Sequence, residues 1–304
     1  MKTITKVFLF GLVCGIQLYP CAPSVLASVN AFLKVDPVNG NDSTAQRGNT
    51  SKPYLTVQAA VAAMQTNDVL FVKNGTYNIG TATLTIPAGA TVAGQSTSST
   101  IIQKAGTGYD PAQALFILGN NCIVQSLTAN ITNGGSGGPF GAVVTGGTNL
   151  AIQHCNLSGY TDVIYFVGSG TRVDHCTISS RWDAVVPTVN ATGILITDSS
   201  FVALTNIAGD TGFSFVRSSG SSDATLLDCS LDGSAVTSNI YGLVSADVNG
   251  STVNLVLCTL GGPTTQIYQT GTAKVFIFYS TFDSTKVVGT IVTDLPLPAI
   301  WTFS

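Results

Sequence analysis

The chain has 304 residues, of which 45% are hydrophobic and only 9% charged, against about 25% charged in an average soluble domain. That balance excludes a disordered chain, and 12 basic against 15 acidic residues leave no cationic footprint for a nucleic acid. The 32 glycines, with abundant Ser, Thr and Asn, suit tight turns and stacked strands rather than charged surface helices.

In chain order, Lys2 and Lys6 followed by the apolar run Val7 to Tyr19 and by Val25-Leu26-Ala27 read as a secretory signal over residues 1–27. The run is too short and too interrupted for a membrane span, and an uncleaved anchor is the alternative reading. Cleavage removes two lysines and no acidic residue, which leaves the mature chain more acidic. A mature domain over 28–304 is therefore expected to be secreted, extracellular or on a cell or virion surface, with no membrane contact after cleavage. Two of the seven cysteines, Cys14 and Cys21, fall within the signal. The remaining Cys122, Cys155, Cys176, Cys229 and Cys258 are odd in number and widely spaced. They form a poor disulfide framework, and no C-x-x-C points to zinc.

Pro53 and the Ala-rich stretch Thr56 to Gln65 predict a helix, capping the domain over about 54–66. Asp68 to Lys73 reads as a strand closed by the Asn74-Gly75 turn. From there one short pattern recurs, in which an aliphatic residue is followed three positions later by Cys or Ser, then a small polar and an apolar residue. It reads Ile152-Gln-His-Cys-Asn-Leu157, Val173-Asp-His-Cys-Thr-Ile178, Ile196-Thr-Asp-Ser-Ser-Phe201, Leu226-Leu-Asp-Cys-Ser-Leu231, Leu255-Val-Leu-Cys-Thr-Leu260 and Ile277-Phe-Tyr-Ser-Thr-Phe282. The shortest of these spacings, from Cys155 to Cys176, matches one turn of a parallel β-helix, and the longer ones imply loops inserted at a bend.

The fold class that follows is all-β, a single-stranded right-handed parallel β-helix. Its coils are expected over about 68–285, and a C-terminal cap over 286–304. Each coil leaves an apolar face and a strand edge that only the next coil can cover, so like residues stack about 4.8 Å apart. Cys155 then lies over Cys176 in a ladder of small buried side chains. A metal site joining His154 and His175 to those cysteines is opposed by the alternation of side chains along a strand.

Three segments carry a resemblance. Val35-Asp-Pro-Val-Asn-Gly-Asn-Asp42, Ser51-Lys-Pro-Tyr-Leu-Thr-Val-Gln-Ala-Ala60 and Val72-Lys-Asn-Gly-Thr-Tyr77 resemble the opening of pectin-lyase-like β-helix proteins. Residues 114 to 201 look like pectin methylesterases. There Gly159-Tyr-Thr-Asp-Val-Ile-Tyr165 resembles that family's Gly-Tyr-Gln-Asp-Thr-Leu-Tyr. Cys176-Thr-Ile-Ser179 and Asp183 fall where the family has Cys-x-Ile-Ser and its second aspartate.

The resemblance implies an esterase in which Asp183 is the nucleophile and Asp162 the acid/base, one coil apart. Two neighbouring carboxyl groups hold different protonation states through mutual repulsion. Trp182, Tyr160 and Tyr165 are candidate faces for sugar rings. The mechanism implied needs no metal and no cofactor, and the implied partner is a pectin-like polysaccharide or another glycan.

The chain departs from the family pattern in three places. Thr161 stands for the glutamine before the first aspartate, and Gly141 for the other family glutamine. The family's Leu-Gly-Arg-Pro-Trp falls at Tyr241-Gly-Leu-Val-Ser245, without its arginine. Arg181 or Arg217, from neighbouring coil positions, is the expected substitute and a candidate substrate contact.

Two further readings of the same residues stand beside the esterase. Aspartates at a coil corner also cap backbone N–H groups. A non-catalytic glycan-binding or structural surface protein, of a kind that often forms a homotrimer, fits the low charge. A glycosidase would use the same carboxyl pair, and a calcium-dependent lyase lacks clustered acidic ligands.

Overall fold

The computed structural model describes residues 30–106, 114–132, 143–159, 162–204, 214–236, 242–247, 250–262 and 265–293, without the side chains of residues 166, 219 and 247. The signal-like residues 1–27 lie outside them.

Apolar residues alternate along short strands, and every strand pairs in parallel with the equivalent strand of the next coil. The result is three sheets of eleven, eight and nine strands among the described residues. The first sheet starts at Phe32–Val35 and ends at Ile291–Thr293. The second runs from Gly75–Asn78 to Thr259–Gly261, and the third from Leu84–Ile86 to Val287–Val288. A coil visits the three sheets in that order, as Ala151–Gln153, Asn156–Ser158 and Ile164–Val167 illustrate. This is the right-handed parallel β-helix expected from the repeat. Stacking is wider than the predicted 68–285, because Phe32–Val35 pairs with Val69–Val72 ahead of the helix, and Val287–Val288 and Ile291–Thr293 still pair at the far end.

The helix is shorter than predicted, Val57–Ala63. Thr56 caps it, its side chain accepting from the Ala59 amide, and Val57, Ala60 and Val61 are buried. The opening motif is a staple around this helix. Asp36 accepts from the amides of Val38 and Asn39 and from Lys73 Nζ at 3.0 Å. Asp42 accepts from the Leu55 amide at 2.7 Å and from the Thr56 amide and hydroxyl. Gly40 is required between them, because a Cβ there would collide with the carbonyls of Asp36 and Tyr54.

The recurring Cys/Ser position is the corner from the first sheet to the second. The residue before it has a left-handed backbone in coil after coil, at His154, His175, Asp198, Asp228, Leu257 and Tyr279, with φ between 48° and 55°; Ser126, with φ of 57°, holds the same turn ahead of Leu127. The next side chain turns inward, and its thiol or hydroxyl donates to the carbonyl two positions back. Cys155 reaches Gln153 at 3.2 Å, Cys176 reaches Asp174 at 3.3 Å, and Ser199 reaches Thr197 at 2.8 Å. The same bond recurs at Cys229, Cys258 and Ser280. Cys and Ser interchange because the site wants a small side chain with one donor. The five described cysteines are buried free thiols. His154 and His175 stand on the left-handed residues, not on strands, and are exposed. The corner itself separates imidazole from thiol, which removes the metal site joining them.

Candidate functional site

The corner between the second and third sheets gathers the predicted residues. Asp162 precedes the strand Ile164–Val167, and Asp183 opens the next strand of that sheet, Asp183–Pro187. Ile164 pairs with Val185, and the Val163 amide donates to the Asp183 carbonyl at 3.2 Å. The interval from Asp162 to Asp183 is therefore one coil. The coil beyond supplies Arg217 from Ser214–Ser219, where Ser214 pairs with Asp183 and Val216 with Val185. Three successive coils thus each contribute one ionisable side chain.

Both carboxyl groups are buried, Asp162 with 5% and Asp183 with 8% of its surface exposed. Arg217 Nη1 lies 3.5 Å from Asp183 Oδ2. The Asp162 carboxyl is pushed up to about 8, first by burial and then by the negative charge of Asp183. Arg217 and a hydrogen bond from the Asp183 backbone return only part of that shift. At neutral pH the pair therefore presents one protonated carboxyl beside a carboxylate and its guanidinium.

Of the two candidate arginines, Arg217 reaches Asp183. Arg181 sits half-buried in the bend between Thr177–Ser180 and Asp183–Pro187. Trp182 in the same bend is half-buried, and its carbonyl accepts from the Ser180 hydroxyl at 3.3 Å. Tyr165 pairs with Val186 and Thr145, and the ladder slips between Tyr165 and Val167. Such a bulge bends the strand and re-aims the side chains beside it. The register stacks Tyr165, Val186, Arg217 and Ser245 in one column beside that of Ile164, Val185, Val216 and Val244; Tyr165 and Arg217 are half-buried, whereas Val186 and Ser245 are buried.

Tyr160, Thr161 and Gly141 lie outside the described residues. Sequence reasoning passed over Ser214, which stacks on Asp183 and whose hydroxyl donates to the Val216 carbonyl at 2.8 Å. Only its coil offset marked it. Among the described residues the carboxyl pair belongs to no group of three metal-ligating side chains. The one such group, Asp174, His175 and Asp198, is at the other corner.

A family model described as protein of unknown function (DUF1565) matches residues 38–255, which include the whole carboxyl–arginine cluster. No curated protein matches the sequence. Solved pectin methylesterases share the fold. That from carrot superposes with a TM-score of 0.62 at 14% identity, covering 88% of this chain and 89% of its own. That from Erwinia chrysanthemi gives 0.58 at 15% identity, with 86% and 92% covered. A pectin methylesterase mutant in complex with a hexasaccharide gives 0.60 at 15% identity, with 88% and 94% covered. At such identities the likeness is one of fold.

Proposed function

Because the chain belongs to the family described as protein of unknown function (DUF1565), its chemistry has to be read from its own residues, and we propose that it is a carboxyl-ester hydrolase acting on a methyl-esterified, pectin-like polysaccharide. The observation that carries this reading is the division of protons. Asp162 keeps its proton up to about pH 8, while Asp183 faces Arg217 at 3.5 Å.

In this mechanism the Asp183 carboxylate attacks the ester carbonyl carbon. The tetrahedral species collapses to an acyl-enzyme as methanol leaves with the Asp162 proton. The Asp162 carboxylate then takes a proton from water, whose oxygen attacks the acyl carbon and releases Asp183 and the free acid. Arg217 holds the nucleophile in place. Tyr165 and Trp182 offer faces to sugar rings. Thr161 and Gly141 forgo two amide donors, and losing one donor to an oxyanion typically costs about 10²–10³ in rate, so a slow enzyme is expected. The proposed location is extracellular, on the strength of the signal-like residues 1–27.

The test is methanol release from highly methylated pectin by the purified protein. We expect release that falls to background in Asp183→Asn and by about a hundredfold in Arg217→Ala, comparable to removing one charge-stabilising group from an active site. No release by the native protein between pH 5 and 8 would end the esterase reading. The fold would then be serving glycan binding, to be measured as affinity for the same polymer.

A further inference from the structure

The column of residues at the corner from the first sheet to the second carries its own chemistry. His154, His175, Asp198 and Asp228 occupy the left-handed position in four successive coils. Asparagine, aspartate and histidine are the non-glycine residues that tolerate this position best, so here the turn presents imidazoles and carboxylates to solvent. Asp174 stands beside the column at the end of Arg172–Asp174, where its neighbours in the ladder are Gln153 and Thr197.

We propose that Asp174, His175 and Asp198 form a binding site for a borderline divalent cation of the zinc type. One ligand atom from each of the three lies within 4.8 Å of the other two. His175 Nδ1 is 3.0 Å from Asp174 Oδ1. Two ligand atoms each about 2.0–2.1 Å from one tetrahedral ion are themselves about 3.3 Å apart, so that edge of the polyhedron already exists. Asp198 closes the remaining distance by a rotamer change, which its exposure permits.

A second feature orients the first ligand. Thr197 Oγ1 donates to Asp174 Oδ1 at 2.5 Å, the outer hydrogen bond that ligating carboxylates characteristically receive. The ring of His154 packs on that of His175 with centroids 5.1 Å apart and limits its swing. One nitrogen and two carboxylate oxygens leave the fourth position to water. The imidazole selects against magnesium and calcium, which prefer oxygen alone. The coil period is what brings the set together, since His175 and Asp198 are a full coil apart along the chain but neighbours in the column.

Titration calorimetry of the full chain with Zn²⁺, after treatment with a chelator, tests this. We expect one equivalent to bind, magnesium to bind far more weakly, and His175→Asn and Asp198→Asn each to weaken zinc at least about tenfold. Asparagine suits the left-handed corner, so both variants keep their metal-free melting temperature, and Asp228→Asn, one coil beyond, keeps its zinc. Absence of zinc binding by the native chain would overturn the proposal. So would unchanged affinity in His175→Asn, or a loss in Asp228→Asn as large as in Asp198→Asn, which would mean diffuse attraction to an acidic corner.

Discussion

A carboxyl group that holds its proton to about pH 8 loads the folded state whenever solvent would ionise it. Asp162 titrates near its ordinary value of 3.8 in the unfolded chain and near 8 when folded. Below pH 4 it is protonated in both states and has no effect. As the pH rises from 4 to 8 the unfolded chain releases the proton and the folded chain does not, so stability falls through that window and levels off above it. Asp162→Asn is therefore expected to be more stable than the native protein at pH 8, by on the order of a few kcal/mol, and so to melt higher there, and to match it at pH 4. The same titration sets activity: methanol release should fall above pH 8 as the acid is lost. A profile flat to pH 10, or equal melting of the two proteins at pH 8, would show that Asp162 is an ordinary carboxylate. The pair was legible in the sequence because its spacing is a coil and its surroundings match a family motif. Arg217 was legible only as one of two arginines, because coil order gives neighbours but not the direction in which a long side chain reaches.

At the scale of the element, the corner from the first sheet to the second explains the repeat. Its Cys/Ser position could be read from sequence as small and buried. Its donor role could not, since that depends on a carbonyl exposed by the turn. The residue before it is often His or Asp in the repeat, but its left-handed backbone could not be read from sequence, because its occupants also include Leu and Tyr. Leu257, with φ of 55°, gains nothing from the conformation it is forced into. A left-handed non-glycine residue costs about 1–2 kcal/mol, and asparagine bears it more easily. Leu257→Asn should accordingly stabilise the protein by about 1 kcal/mol in urea unfolding. A loss of stability instead would mean that Leu257 contributes more through packing than it costs through backbone.

For the whole molecule, stability is built coil on coil, and the ends decide whether the stack stays closed. At the N-terminal end the Asp68 side chain is fully buried and takes both Arg47 Nε and Nη2 at 2.7 Å. It also accepts from the Gln65 amide where the helix hands over to the strand Val69–Val72. Removing the arginine leaves a buried carboxylate without its charge partner, a strongly destabilising change. Arg47→Ala is expected to lower the melting temperature by several degrees, with Arg47→Lys recovering part of it. An unchanged melting temperature would show that this end does not limit stability. The helix was visible as an Ala-rich run, whereas the strand Phe32–Val35 was not, because the chain leaves the sheet after Val35, touches it again in a single bridge at Tyr54 and lays a strand beside it from Val69.

The stacking also limits how such a site changes over time. Asp162, Asp183 and Arg217 stand on consecutive rungs, and rungs are about 4.8 Å apart whatever their sequence. A functional group on this scaffold cannot drift; it moves one rung along or one same-face position across. An arginine lost from one rung can be regained on the next only if its side chain spans that fixed step, which Arg217 does. Variation in such a protein is therefore digital, and whole rungs beyond Arg217 can be added or removed without altering the spacing of the three charges.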